Sequence, residues 1–459
     1  MEFSNLFSIY LFLPLTIGLY FLVPGMKKKN MVLVIASLIF YAMGQPYFLP
    51  LLLATAFINY VLAFYVNKKK PVTVIIPVAL NLVLMCMFKL LDAYLGGETS
   101  ISLLPIGISF YTFQLISYHV DIYRGKVKPA ESFKNLLLYV SMFPKMLMGP
   151  IVHYEQIGPQ IEHRRSTPKG VFDGMVRFTV GLAKKVLIAD YAFAAYSELT
   201  KLPYGGAAWL GALMFTFYIY FEFSGCADMA IALGKIFGFR YAENFDMPYT
   251  SRSITDFWRR WHMTLGSFFR DYVYIPLGGN RKGKVRQIFN LFVVWSLTGL
   301  WHGLSWNFLF WGLYFFLLLA LEKQLMPKLE KIPNILRNFL TMFLVLIGWV
   351  LFANENLAVL GDTFAMMFGK GDFWNASVGV LLKNSLPLIV LCFIGSSALP
   401  HWFSLIWRNL MLRRSKNGAI TVTQVIHTVS LLLFAVILLF LCTASLVGAS
   451  SQPSLYASF

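Results

Sequence analysis

Apolar stretches long enough to span a bilayer, about 20 residues, recur along the whole chain, and short runs of lysine and arginine separate them. Residues 5–23 form the first and end at MKKKN (26–30). Two shorter stretches, 31–43 and 47–66, meet at GQP (44–46) and lead to NKKK (67–70). Residues 72–91 run out to the acid-bearing LDAYLGGE, and 103–120 return to YRGKVK (123–128). Basic loops face the cytoplasm by the positive-inside rule. An even number of crossings then separates successive basic loops, and the N-terminus is predicted outside. No basic leader and no small-residue cleavage site precede the first stretch, which reads as a retained span.

The pattern then becomes irregular. FKNLLLYVSMFPKMLMGPIV is interrupted by Pro144, Lys145 and Pro150 and lies between two basic loops, YRGKVK and HRRSTPK (163–169). A re-entrant or interfacial segment fits, since broken backbone at membrane depth must be surrounded by protein. Arg177, Lys184 and Lys185 interrupt 171–198, so its first half is expected along the interface and 186–198 across. Residues 206–239 would make roughly 51 Å of helix, more than a bilayer needs, and Ser224-Gly225 is the expected break. Inside that segment lie two acids, Glu222 and Asp228, which at such depth default to functional or tightly paired groups.

The longest polar stretch, 240–287, sets Arg252, Arg259, Arg260, Arg270, Arg281, Lys282, Lys284 and Arg286 against Glu243, Asp246, Asp256 and Asp271, and should be cytoplasmic. The apolar block 288–321 ends again in basic sequence, EKQLMPKLEKIPN, so it must cross an even number of times. A tight pair of short helices is required, with TGLWHG at the midpoint. His302 is therefore predicted near a helix break, deep in the protein. Residues 335–353 then go out, 385–407 come back, and 425–448 go out again, which leaves both termini extracytoplasmic.

Composition agrees: 58% of the chain is hydrophobic and 13% charged, against about 25% charged in soluble domains, and the mean hydropathy is +0.65. The net charge of +18 would suggest nucleic acid in a soluble protein. Here the cations sit between spans, and no nucleic-acid partner is expected. Cys86, Cys226, Cys392 and Cys442 show no CxxC spacing and read as buried thiols with no disulfide framework. There is no HExxH, GxxxxGK[ST] or GxSxG, so metal, P-loop and serine-hydrolase chemistry find no support; no metal and no bound cofactor are expected.

Two stretches carry candidate chemistry. In ITDFWRRWHMTLGSFFRDYVYIPLGGNRKGK (254–284), one helix over 254–270 would put Trp258 and His262 on the same face, with Arg259 and Arg260 elsewhere. An interfacial helix with aromatic anchors accounts for this stretch. So does a ligand bearing phosphate and adenine, since guanidinium pairs with phosphate and stacks on rings. In TGLWHGLSW, His302 could be a hydrogen-bonded core histidine or a base. An imidazole in apolar surroundings is neutral at pH 7, because burial disfavours the cation, and a neutral imidazole can accept a proton.

Five stretches, in this order, resemble the membrane-bound O-acyltransferase family, and its bacterial alginate O-acetylation branch most: LPIGISFYTFQLISYHVDIYRGKV (104–127), MFPKMLMGPIVHY (142–154), YFEFSGCADMAIALGKIFGF (220–239), NFDMPYTSRSITDFWRRWHMTLGSFFRDYVYIPLGGNRKG (244–283) and TGLWHGLSWNFLFWGLY (298–314). The last third is similar in hydropathy alone. The chain departs from the family's usual residues at Glu222, near Cys226 and at Phe315-Phe316.

The resemblance implies an all-α polytopic membrane protein of about 11 transmembrane helices, with re-entrant or interfacial segments around a central funnel-like chamber. It implies one membrane domain over 1–459: N-terminal helices 1–130, a catalytic core 131–323 that includes cytoplasmic 240–287, and C-terminal helices 324–459. The implied activity is acetyl transfer from acetyl-CoA to a hydroxyl of an extracellular or cell-wall polysaccharide, at a bacterial plasma membrane. An extracellular SGNH-type acyltransferase is the implied partner. By motif position His302 is the catalytic base and His262 the second histidine. Arg259, Arg260, Arg270, Trp258 and Trp261 are the candidate donor site, and Trp301, Trp306, Glu222, Asp228 and Asn307 the candidate chamber lining. Three other readings compete: D-alanyl transfer to teichoic acid from a carrier-protein thioester, a transporter or flippase, and a scaffold that recruits an extracellular esterase-like partner.

Overall fold

The computed structural model describes residues 3–95, 103–146, 148–411 and 422–448. The GGE of LDAYLGGE, the loop RRSKNG and the tail QPSLYASF lie outside them. Every regular element among the described residues is helical, and seven helices are long and apolar enough to cross a membrane.

A π-helical turn, Ser8–Phe12, leads into α1 (Leu13–Leu22). Then come α2 (Met26–Gly44), α3 (Leu49–Ala63), α4 (Val72–Leu95) and α5 (Ile108–Arg124). The irregular passage folds as α6 (Phe133–Ser141), α7 (Phe143–Met146) and α8 (Tyr154–Glu162), broken at Met142 and buried throughout 136–146. Next are α9 (Pro168–Ala183), a π-helical turn (Lys184–Ala189), α10 (Asp190–Leu199) and α11 (Gly205–Ile236). The polar stretch supplies α12 (Ile254–Arg260), α13 (Met263–Phe269) and a π-helical turn, Arg270–Tyr274. The last third begins within α14 (Lys284–His302) and α15 (Trp306–Leu329), and continues with α16 (Asn334–Ala353), α17 (Leu357–Met367), α18 (Ala376–Ser396), α19 (Leu399–Met411) and α20 (Val422–Gly448).

One apolar core joins α1–α9 to α11; a second joins α10–α12 to α14–α16 and α18. Helix α11 belongs to both and is the central column. It is not broken at Ser224-Gly225, contrary to the expectation from its length. Gly225 instead faces Gly181 of α9: a Cβ on either would press on the other's carbonyl oxygen, so the glycines set how closely the two helices approach.

The cations expected along the interface turn inward. Lys185 pairs with Glu222 at 2.9 Å and Asp190 at 2.7 Å. Asp228 receives Arg177 at 2.7 Å and Lys184 at 2.7 Å, and Arg177 reaches on to Glu243. Residues 168–199 thus form one helical run with a π-bulge, packed on α11, in which Arg177, Lys184 and Lys185 are ion-paired and the Lys185–Glu222 pair is buried.

The expected single span over 385–407 is two helices. Pro400 excludes a helix continuing through Ser396, because its ring would meet that carbonyl. Ser397 is extended, and its hydroxyl accepts from the Leu399 amide at 3.1 Å. The apolar span lies earlier, at α18, started by Asn375, whose side chain accepts from the Val378 amide at 2.9 Å.

Candidate active site

Helices α14 and α15 are the pair that the charge rule requires, and His302 is the last residue of the first. The two helices touch through Gly299 and Gly312: a Cβ at either would strike a carbonyl, of Phe308 and of Trp295 respectively. Gly303 then leaves the helix in extended geometry. His302 is 8% exposed and lies among Trp301, Trp311 and Phe352, with ring centroids 4.6, 5.1 and 5.1 Å away.

His262 arrives by a different route. The helix expected over 254–270 stops at Arg260; Trp261 is extended, and His262 has φ 44°, in the left-handed region. A bulky residue there is uncommon and is held by its surroundings. Asn244 does the holding: its carbonyl accepts from the Met263 amide at 2.9 Å, and its side-chain oxygen accepts from the Thr264 amide at 3.2 Å and hydroxyl at 2.8 Å. The start of α12 is capped by a carboxylate from α15: Glu322 accepts from the Ile254 amide at 2.5 Å and the Thr255 amide at 3.0 Å. A buried carboxylate at a helix N-terminus satisfies orphan amides, and this one ties the arginine-bearing helix to the helix that follows His302.

The two histidines meet in one chamber. Its walls are Ile219 and Phe223 of α11, Trp258, Trp261 and Leu265, Thr298 of α14, Trp311 of α15, and Trp349 and Phe352 of α16. The chamber is narrow, about 20 Å³, enough for about one water. Trp258, Trp261, His262, Leu265 and Thr298 also border a wider cavity of about 600 Å³, whose outer rim carries Arg259, Arg270, Ser267, Thr255 and Tyr274. A largely apolar mouth bearing two exposed arginines therefore adjoins an aromatic throat at His302.

The candidate residues divide. His302, His262, Trp258 and Trp261 share the throat; Arg259 and Arg270 share the mouth. Arg259 is exposed and has no ion-pair partner among the described residues. Arg270 pairs with its neighbour Asp271 at 2.7 Å, and Arg260 turns away to Asp256 at 3.0 Å and Asp246 at 3.5 Å. Arg260 is not among the residues that border the mouth; Asp256 and Asp246 hold it on another side of α12.

The expected lining is mostly elsewhere. Trp301 packs between Phe113 and His262. Trp306 is 63% exposed. Glu222 and Asp228 are the ion-paired acids between α9 and α11. Asn307 donates to the carbonyls of Leu351 (3.4 Å) and Phe352 (3.2 Å), and so ties the start of α15 to the end of α16. Sequence reasoning missed Trp311, Trp349, Phe352, Thr298 and Asn244. Trp311 lies nine residues beyond His302 in WGLY, and its face of α15 was the available signal. Trp349 and Phe352 offered none. No group of three or more His, Cys, Asp or Glu side chains that could hold a metal occurs among the described residues.

Comparison with known proteins gives the architecture a family. Residues 126–334 match the model of the membrane-bound O-acyltransferase family. A protein named probable alginate O-acetylase, from Pseudomonas syringae pv. tomato, is 40% identical over 82% of this chain and 77% of its own length. A peptidoglycan O-acetyltransferase of Helicobacter pylori is 33% identical over 77% of each chain. A teichoic acid D-alanyltransferase of Bacillus subtilis is 28% identical over 54% of this chain and 69% of its own. With both histidines, the helix pair around Gly299 and the capped arginine helix inside the matched region, the chain belongs to the membrane-bound O-acyltransferases: it is a multi-pass membrane O-acyltransferase of the alginate O-acetylase-like branch.

Proposed function

We propose that the protein takes an acetyl group from cytoplasmic acetyl-CoA and delivers it for O-acetylation of an extracellular or cell-wall polysaccharide, at the plasma membrane of a bacterial cell. The observation that carries this reading is the juxtaposition of His302 and His262 in one aromatic throat, reached from a mouth that presents an unpaired arginine. Coenzyme A carries phosphates and cannot enter a lipid phase. Arg259 at the mouth meets its phosphate end, Trp258 and Trp261 flank the pantetheine arm, and the thioester enters the throat.

At the throat His302 takes the proton of the acceptor hydroxyl as its oxygen attacks the thioester carbonyl. The carbon–sulfur bond breaks, and the thiolate leaves with that proton. His262 borders the same space and faces the acyl carbonyl. The acceptor is a sugar hydroxyl or a serine of an extracellular SGNH-type partner that passes the acetyl on; either enters from the outer face. An acetyl donor is favoured over a D-alanyl carrier because the relatives named for O-acetylation match more of this chain, 77% and more against 54%.

The test is His302→Ala, with acetyl on the extracellular polymer measured at matched amounts of membrane-inserted protein. Loss of a general base lowers transfer by about a hundredfold or more. Near-normal acetylation would reduce His302 to a packing residue and overturn the reading.

A further inference from the structure

Helix α4 buries one narrow stripe, Val74, Pro77, Asn81, Met85 and Lys89, at helical spacing. Its other faces are apolar and exposed, as a lipid-facing span requires. The stripe ends in a lysine that is only 9% exposed. A cation inside an apolar span is costly and marks a function or a specific partner. Here the partner is a carbonyl: the Lys89 ammonium donates to the main-chain oxygen of Trp301 at 2.5 Å, across 212 residues of sequence. One turn earlier, Met85 packs in the apolar cluster that holds the Trp301 ring with Phe110 and Phe113. So α4 grips Trp301 twice, by its ring and by its carbonyl.

The grip matters because of the next residue. The Trp301 oxygen and the His302 nitrogen belong to one peptide plane. That plane is in the last turn of α14, where carbonyls have no partner within the helix and cations are favoured. After His302 the chain leaves the helix at Gly303, so nothing in the helix downstream fixes the plane. We infer that Lys89 is a positioning residue for His302: its hydrogen bond to the Trp301 carbonyl sets the orientation of the Trp301–His302 peptide and thereby aims the imidazole into the throat. This rests on the reading of His302 as the base.

A displacement of about 1 Å in a reacting group can cost about a hundredfold in rate. Lys89→Met removes the donor and keeps the aliphatic stem. The measurements are acetyl transfer per folded molecule, acetyl-CoA affinity of the purified protein, and its melting temperature, with His302→Ala in parallel. Lys89→Met is expected to lower transfer about ten- to a hundredfold with acetyl-CoA affinity unchanged, and Lys89→Arg, which can still reach the carbonyl, to recover most of it. Should Lys89→Met fail to accumulate, Lys89→Leu, which also lacks a donor, replaces it with the same two outcomes. Full transfer by the neutral variant while His302→Ala is inactive overturns the inference alone; so does a loss of donor affinity that accounts for the whole effect. Activity in His302→Ala overturns the underlying reading instead.

Discussion

Arg259, Arg260 and Arg270 stand in three electrostatic situations. Arg260 is committed to Asp256 and Asp246, Arg270 is forked onto Asp271, and Arg259 is exposed at the mouth without an ion-pair partner among the described residues. A guanidinium already neutralised by a carboxylate gains less from a phosphate than a free one, and it must release its partner first. Arg259→Gln is therefore expected to weaken acetyl-CoA binding by roughly 1.5–3 kcal/mol, about tenfold or more, and to flatten its salt dependence. Arg260→Gln should leave affinity nearly unchanged, and Arg270→Gln should fall between. Titrating acetyl-CoA into the purified variants at several salt concentrations checks the order; equal losses at all three positions would mean that the pairs do not persist when donor binds. This gradation could not be read along the chain. The arginines were visible as a cluster, but which acid each one finds depends on the stop at Arg260 and the left-handed turn at His262. Asn244 imposes that turn through contacts some twenty residues away in sequence.

At the scale of elements, the sequence predicted best where a single physical rule acted alone. Charge parity between basic loops required the α14–α15 pair, and the break falls at His302 as required. It failed where packing overrode a local signal. Ser224-Gly225 looked like a hinge because glycine weakens helices, yet here glycine is the condition for α9 and α11 to touch. Lys184 and Lys185 look interfacial because isolated cations avoid hydrocarbon, yet Asp228 and Glu222 of α11 meet them, and Asp190 of α10 adds to Lys185. These pairs are structural, and their removal should show it. Glu222→Leu leaves Lys185, 3% exposed, with Asp190 as its carboxylate partner among the described residues; breaking such a pair costs about 3–5 kcal/mol. The double change Glu222→Leu with Lys185→Met removes both charges and should recover most of that loss. Melting temperatures of the purified single and double variants decide it, and a double variant no better than the single would show that the cost lies in shape and not in charge.

Charge alone gives the whole molecule an expected orientation. The basic stretch that contains the mouth, 240–287, is expected on the cytoplasmic side and both termini on the other. Lys282 is exposed on this stretch. In intact cells, Lys282→Cys should resist an impermeant thiol reagent and react once the membrane is opened, judged against the parent protein with its exposed Cys86. Ready labelling from outside would reverse the orientation and with it the side from which donor arrives. The last third of the chain resembled its family in hydropathy only, so its role was illegible from sequence; in the fold, Trp349 and Phe352 of α16 complete the wall around His302.

That wall has a consequence for the cell's energy supply. A path on which reactants from opposite faces meet at one histidine is also a path for protons, and an open one would dissipate the membrane potential, worth about 2.3 kcal/mol per charge per 100 mV. With room for about one water between indole and phenyl rings, the throat as described is too narrow for a continuous column of water along which charge could leak. On the proposed route, the rings that would enclose the thioester also act as an electrical seal, and catalysis would have to open them for an acetyl group without opening them for current.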